Sequence, residues 1–215
     1  MSPEQLTNIV LQYICLLFSL SVHEAAHAAT AERCGDPTAR MLGRVTLNPV
    51  AHIDPIGTVV MPLLMMVTGI PYLFGWAKPV PFNPRHLGNI RRDPVLIAVA
   101  GPASNFLLLL ATIFVTRVAF MILGVETVVD TLFFRFAVLM IVLNLTLMVF
   151  NLIPIPPLDG GHVLYAFLPE SGRRVVDQAG PFGILLAIFV MSRYLGGPLY
   201  YLHERALSVL FWGIY

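Results

Sequence analysis

A chain of 215 residues that is 57% hydrophobic and 12% charged, with a mean hydropathy of +0.80, has too little polar surface for a soluble globule and belongs largely in lipid. A formal net charge of +1 excludes a nucleic-acid surface as its purpose, so the 13 basic residues are better used to read topology. The two cysteines, Cys15 and Cys34, exclude a disulfide framework and read as free thiols.

The first apolar segment covers about residues 6–33. Ala26-His27-Ala28 imitates a small-x-small cleavage site, but Met1 to Gln5 carries Glu4 and no Lys or Arg, so the segment reads as a retained helix rather than a leader. Within it stands His23-Glu24-Ala25-Ala26-His27. Positions i and i+4 stack on one face of a helix, so both imidazoles can converge on one ion, for which zinc is the usual occupant. Glu24 lies one position round, within reach of a proton on a water at the ion's open coordination position. Burying His, Glu and His in a membrane-length helix is costly unless partners or a wet cavity compensate, which favours a metal site over accident.

Gly43-Arg44-Val45-Thr46-Leu47-Asn48-Pro49 follows, with β-branched residues bounded by Gly and Pro, and suggests a short strand. The second apolar segment, 56–74, is interrupted by Pro62, Gly69 and Pro71. Trp76-Ala77-Lys78-Pro79-Val80-Pro81-Phe82 again looks extended, and its prolines restrict it to an edge or hairpin. An exposed edge beside a metal site would suit a protease, since a peptide must be extended before its carbonyl can be reached. His52, Asp54 and His86 occupy turns and loops and read as structural.

The third and fourth segments, 95–123 and 132–153, are long enough to span. Arg117 and Arg135 lie near their ends and are expected to snorkel toward headgroups. Asn151-Leu152-Ile153-Pro154-Ile155-Pro156-Pro157-Leu158-Asp159-Gly160-Gly161 then ends the fourth helix, since three prolines cannot continue it. Asp159 therefore sits at an irregular turn, from which its side chain can point back into the bundle as a third ligand or simply belong to a surface loop. His162, near Asp159, reads as an interfacial histidine, with support of a metal ligand as the alternative. The fifth segment, 181–212, contains Gly196-Gly197-Pro198 and fits one span or a span plus a second helix. With no repeat or long linker, the chain reads as one domain, a core at about 6–165 followed by a C-terminal helical segment at about 180–212.

His-Glu-x-x-His at His23 to His27, followed by Asn-x-x-Pro-x-Pro-x-Leu-Asp-Gly across Asn151 to Gly160, resembles the paired signature of the site-2 protease family, in a compact bacterial-type form without a soluble regulatory domain. Gly101-Pro102-Ala103-Ser104-Asn105 resembles a Gly-Pro element found between those motifs. The likeness covers about residues 10–165. It implies an all-α multi-pass membrane protein, with a helical core and a short re-entrant or edge β element between the first two apolar segments. It further implies a zinc metalloendopeptidase acting on transmembrane protein or peptide substrates within the lipid bilayer, and no nucleic acid. His23, His27 and Asp159 become ligands of one zinc ion, Glu24 the general base and acid, and Asn151 a substrate-binding or transition-state residue. The extra proline, Pro157, leaves the spacing from Asn151 to Asp159 intact. The competing readings are a metal transporter and a silent metal-binding scaffold; a transporter ought to repeat its ligands along a path, and a structural zinc site is normally closed by a fourth protein ligand.

Topology supplies a further expectation, because His27 near the end of the first segment and Asp159 just past the fourth must meet at one depth. Segments three and four already supply an even number of crossings, so 56–74 should not cross alone and should instead form a re-entrant or peripheral hairpin. With the N-terminus outside, Arg33, Arg40, Arg44, Lys78, Arg85, Arg91, Arg92, Arg173 and Arg174 all fall in the cytoplasm, while Glu126 and Asp130 fall outside. The site then opens toward the cytoplasm.

Overall fold

The computed structural model describes residues 2–68, 75–179 and 182–213. Helix α1, Pro3–Arg33, starts in a capping box: Ser2 Oγ accepts from the Gln5 N–H while the Gln5 side chain accepts from the Ser2 N–H. After the short α2, Thr38–Met41, and an apolar hairpin containing α3, Met61–Thr68, the chain enters α4, Arg92–Leu123. Gly124, at φ +81, ends α4 in a backbone conformation that side chains resist, and the turn helix α5, Val125–Val129, leads to α6, Leu132–Asn151, capped by Thr131. The proline loop then feeds α7, Asp159–Phe167, followed by the polar α8, Glu170–Ala179, by α9, Gly183–Val190, and, through a π-helical turn, by α10, Gly196–Phe211.

Four stretches are long and apolar enough to cross a membrane: α1, α4, α6 and Gly183–Phe211. α1 packs on α4 and α6, and α10 closes over α4 and α6, where Leu199 and Leu210 join Leu109, Phe120, Ile141 and Leu145. The fifth segment is thus one continuous stretch long enough to span, Gly183–Phe211, although position 181, where the expected segment begins, lies outside the described residues.

Between the first two long spans the structure corrects the expected β element, for no strand occurs among the described residues. Residues 43–48 form a turn and bends that lead into a 3-10 turn at Pro49–His52, and residues 75–82 hold no regular structure and no partner strand. The physical reason is the donor pattern. Pro79 and Pro81 have no N–H, and alternate donors between and before them go singly to unrelated acceptors: Trp76 to the Gly57 carbonyl, Lys78 to the His52 carbonyl, and Val80 to the Glu24 side chain.

The helical part of the second segment, Pro55–Thr68, is shorter than the four spans, and positions 69–74 of that segment lie outside the described residues. Its ends meet: Trp76 bonds back to Gly57, and a Cβ on Gly75 would stand 2.4 Å from the Gly57 carbonyl oxygen. The chain therefore returns at Gly75 to the depth it left at Gly57. Tyr13 Oη, donating to the Thr58 carbonyl at 3.0 Å, ties this return point to the N-terminal half of α1. Leaving and returning at one point fits the expected re-entrant or peripheral hairpin.

Two arginines expected to snorkel find partners within the chain. Arg117 on α4 turns to α10 and donates to the Val209 and Leu210 carbonyls and, at 2.9 Å, to that of Trp212. It satisfies acceptors that the end of a helix leaves without intrahelical donors. Arg135 pairs with Glu4 at 3.2 Å, tying α6 to the start of α1. At the opposite end, Asp36 is fully buried and accepts from the Thr38 N–H, the Thr38 hydroxyl, the Asn83 N–H and His86 Nδ1, joining the turn after α1 to the approach to α4. Burial pushes this carboxyl up, but the bonds from Thr38, Asn83 and His86 outweigh it and hold the group at about 2.

Replacing Arg117 by Leu is expected to lower stability by about 1 kcal/mol, the net worth of the bonds lost at the helix end, and to open the α10 terminus to hydrogen exchange before the rest of the chain. The Asp36 contribution should be complete above pH 4 and fade as pH falls toward 2, because a depressed carboxyl stabilises only while ionised. Melting curves of Asp36→Ala should accordingly lie below those of the parent at pH 6 and draw together with them as the pH falls to about 2.

Candidate metal centre

His23 and His27 are one helical turn apart on the buried face of α1, with their ring centroids 4.6 Å apart and their planes nearly perpendicular. Their tautomers follow from a chain of hydrogen bonds with one consistent direction. The Met140 carbonyl can only accept, so the Asn144 group 2.9 Å from it is the amide nitrogen, which also donates to Ser19 Oγ at 3.0 Å. Asn144 Oδ1 then accepts from Asn105 Nδ2 at 2.9 Å, leaving Asn105 Oδ1 to accept from His23 Nδ1 at 2.6 Å. The hydrogen of His23 is therefore on Nδ1. On His27 the same holds, since Nδ1 lies 2.6 Å from the Ile97 carbonyl.

Both Nε2 atoms are left without hydrogen, and they face each other at 3.0 Å. Asp159, in the first turn of α7, closes the group with Oδ2 at 3.2 Å from His23 Nε2 and Oδ1 at 3.3 Å from His27 Nε2. Three lone-pair donors thus crowd one point without a hydrogen among them, and Asp159 Oδ2 is buried with no hydrogen-bond partner. Two imidazoles and a carboxylate repel at these distances unless a cation lies among them. The donor set, N, N and O, with ligand atoms all within 4.8 Å of one another, fits zinc in a three-ligand site that retains an open position.

The local sequence explains how α4 comes this near. A Cβ at Gly101 would stand 2.4 Å from His27 Nε2 and 2.5 Å from His23 Cε1, so only glycine admits the imidazoles. Pro102, next in the helix, has no N–H with which to continue the ladder and leaves the Ala98 carbonyl, one position past the Ile97 carbonyl that receives His27, without its usual donor. Asp159 owes its position to the proline loop, folded so tightly that a Cβ on Gly160 would stand 2.3 Å from the Leu152 carbonyl oxygen. A Cβ on Gly183, at the head of α9, would collide with the Pro156 carbonyl, so α9 braces the loop from behind.

Glu24 is 9% exposed and its Oε2 accepts the Val80 N–H at 3.0 Å, so the irregular segment after the hairpin orients the carboxylate. A cavity of about 670 Å³ is lined by His23, Glu24, His27 and Asp159, and also by Val80 and Asn151. Asn151 ends α6 with its Nδ2 donating to the Leu147 carbonyl at 3.0 Å. His162 is exposed and lines the same cavity, whereas His52 is buried elsewhere, held by the Thr46 carbonyl, and His86 serves the Asp36 clamp. All five residues singled out from sequence therefore meet in one cavity. The residues that reasoning missed are Asn144 and Ser19, together with the part taken by Asn105; the available signal was an amide or hydroxyl inside three separate apolar spans, each too expensive there to stay unpaired.

The family model described as Peptidase family M50 matches residues 118–192, a stretch containing Asn151 and Asp159. "Putative zinc metalloprotease YwhC" of Bacillus subtilis (strain 168) is 38% identical over 185 residues, covering 85% of this chain and 80% of the relative. "Putative zinc metalloprotease Rip2" of Mycobacterium tuberculosis (strain ATCC 25618 / H37Rv) is 31% identical over 193 residues, or 87% and 71% of the two chains. The protein of the same name from Mycolicibacterium smegmatis is 29% identical over 175 residues, 81% of this chain and 64% of that one. No solved structure matches.

If the Asn105 amide fixes the His23 tautomer, Asn105→Leu should weaken zinc affinity by roughly 10–100-fold, the usual cost of removing a ligand's hydrogen-bonding support. Gly101→Ala should do at least as much by displacing both rings. Metal titration against a competing chelator reads both, and unchanged affinity in Asn105→Leu would show that the amide relay does not orient the ring.

Proposed function

The chain belongs to peptidase family M50 and is an intramembrane zinc metalloprotease, and on that premise we propose that His23, His27 and Asp159 hold its single zinc ion, with Glu24 as general base and acid. The observation that carries this assignment is the convergence of two hydrogen-free Nε2 atoms and a buried carboxylate on one point beside Glu24, in a cavity with room for a peptide. When bound, zinc supplies Lewis acidity, lowering the pKa of a water and polarising the scissile carbonyl. Glu24 Oε1 is left to take the proton of the attacking water, because Oε2 is anchored by Val80, and the same carboxyl returns that proton to the leaving amine. Asn105 and the Ile97 carbonyl hold the two imidazoles as neutral ligands throughout. Asn151, at the cavity wall, binds the unwound substrate or the developing oxyanion.

The substrate is the peptide bond of a membrane-embedded protein, as in regulated intramembrane proteolysis. A substrate helix must unwind to present a carbonyl, because its backbone is otherwise fully hydrogen-bonded in lipid. The cavity opens on the side that carries Arg91 and Arg173, while Glu4, Arg135 and the acidic Glu126 and Asp130 mark the other. By the basic-residue rule this supports a cytoplasmic active site and an N-terminus outside. One catalytic domain, a core at about 6–165 with its C-terminal span, accounts for the whole arrangement. Among the described residues His23, His27 and Asp159 are the one group able to hold a metal, so no transport path of repeated ligands accompanies them.

Glu24→Gln should retain zinc and lose roughly a hundred- to ten-thousand-fold in cleavage of single-span model substrates by detergent-purified protein, as should the chelated parent. Full cleavage by Glu24→Gln would remove Glu24 from the chemistry, and full metal binding by Asp159→Ala would remove the third ligand.

A further inference from the structure

Helix α10 turns its apolar side to the protein and its polar side away. At about 100° per residue, Leu199, His203, Ala206 and Leu210 share the face against α4 and α6. Gly197, Tyr201, Glu204, Arg205 and Ser208 share the opposite face, and all five are exposed. Their depth is set by His203, whose Nε2 donates to the Val142 carbonyl at 3.2 Å and lies 3.1 Å from Thr146 Oγ1. Val142 and Thr146 occupy the middle of the α6 span, Leu132–Asn151, so Glu204 and Arg205 stand near mid-membrane on the outer surface of the bundle.

Charged side chains at that depth are expensive when they face hydrocarbon. Arg205 is only half provided for: it stacks 4.9 Å over the Tyr201 ring and its Nε donates to the Tyr201 hydroxyl at 2.7 Å. Among the described residues, nothing meets the Glu204 carboxylate or the terminal nitrogens of Arg205. Arg117 and the Glu4–Arg135 pair, near the outer end of the same bundle, are each satisfied within the chain.

We infer that two copies of this chain associate in the bilayer through this face of α10, with Glu204 of each copy pairing with Arg205 of the other. The face is self-complementary, carrying one acid and one base side by side, so a two-fold arrangement forms two ion pairs, removes both charges from lipid and closes on itself. At its inner end, Gly197 has no atom within 4 Å of the place a Cβ would occupy, which leaves room for a second backbone. The surface is distinct from the metal centre, so the peptidase assignment stands or falls separately.

The experiment is resonance energy transfer between donor- and acceptor-labelled full-length chains reconstituted at high lipid-to-protein ratio, with zinc content as the check on folding. The parent should associate, Glu204→Arg and Arg205→Glu should each weaken association at least tenfold, and the double exchange E204R/R205E should restore it. Ser208→Cys should give a covalent dimer with an added oxidant in the membrane, whereas Met121→Cys, equally open on α4, should not. A parent that stays monomeric, single reversals without effect, a failure of the double exchange with zinc retained, or capture only by a different membrane protein would each overturn the proposal.

Discussion

Everything at the centre of this protein depends on α1 and α4 touching without a side chain between them. Two imidazoles can serve one ion only if both turn Nε2 inward, and each does so because its other nitrogen has given its hydrogen to α4, through Asn105 for His23 and the Ile97 carbonyl for His27. That reach is possible because Gly101 has no Cβ. The relay continues through Asn144 to Ser19, so the three apolar spans that build the core are joined at one depth by amides and a hydroxyl. In lipid, where apolar contact does not by itself drive helices together, such bonds supply register as well as attraction.

Around that contact the irregular backbone is placed where it is covered. The proline loop returns Asp159 to the imidazoles and is braced by α9 at Gly183. The hairpin that leaves and returns at Gly57 delivers an irregular segment whose Val80 N–H orients Glu24. Non-helical backbone at membrane depth is tolerated only when buried in protein or lining a cavity, and both segments line the same one. The features that disrupt regular structure are thus the ones that assemble the chemistry.

Charges follow the same rule. Arg117 satisfies the end of α10, Arg135 joins Glu4, and Asp36 gathers four donors at the end where the cavity opens. Glu204 and Arg205 depart from it within a single copy, and the departure is meaningful because the rest of the chain is so consistent.

The sequence by itself determined the span pattern, the i, i+4 pair with its neighbouring glutamate, and the break at Pro154, Pro156 and Pro157 that frees Asp159. These are local: helical periodicity puts His23 and His27 on one face whatever surrounds them, and proline stops a helix whatever follows. Parity of crossings also predicted that 56–74 turns back, since it needed only the ends of segments. What only the tertiary structure decided depends on partners distant in the chain. Residues 75–82 have the composition of an edge strand, but a strand exists only if another strand pairs with it, and here alternate donors go to Gly57, His52 and Glu24. Arg117 and Arg135 looked like snorkelling residues because their sequence neighbours are apolar, whereas their acceptors come from α10 and α1. Likewise Asn105, Asn144 and Ser19 are single polar residues in three separate segments until packing sets them in line behind His23. A hydrogen bond between residues 82 or 125 positions apart leaves no periodic trace in the chain that makes it.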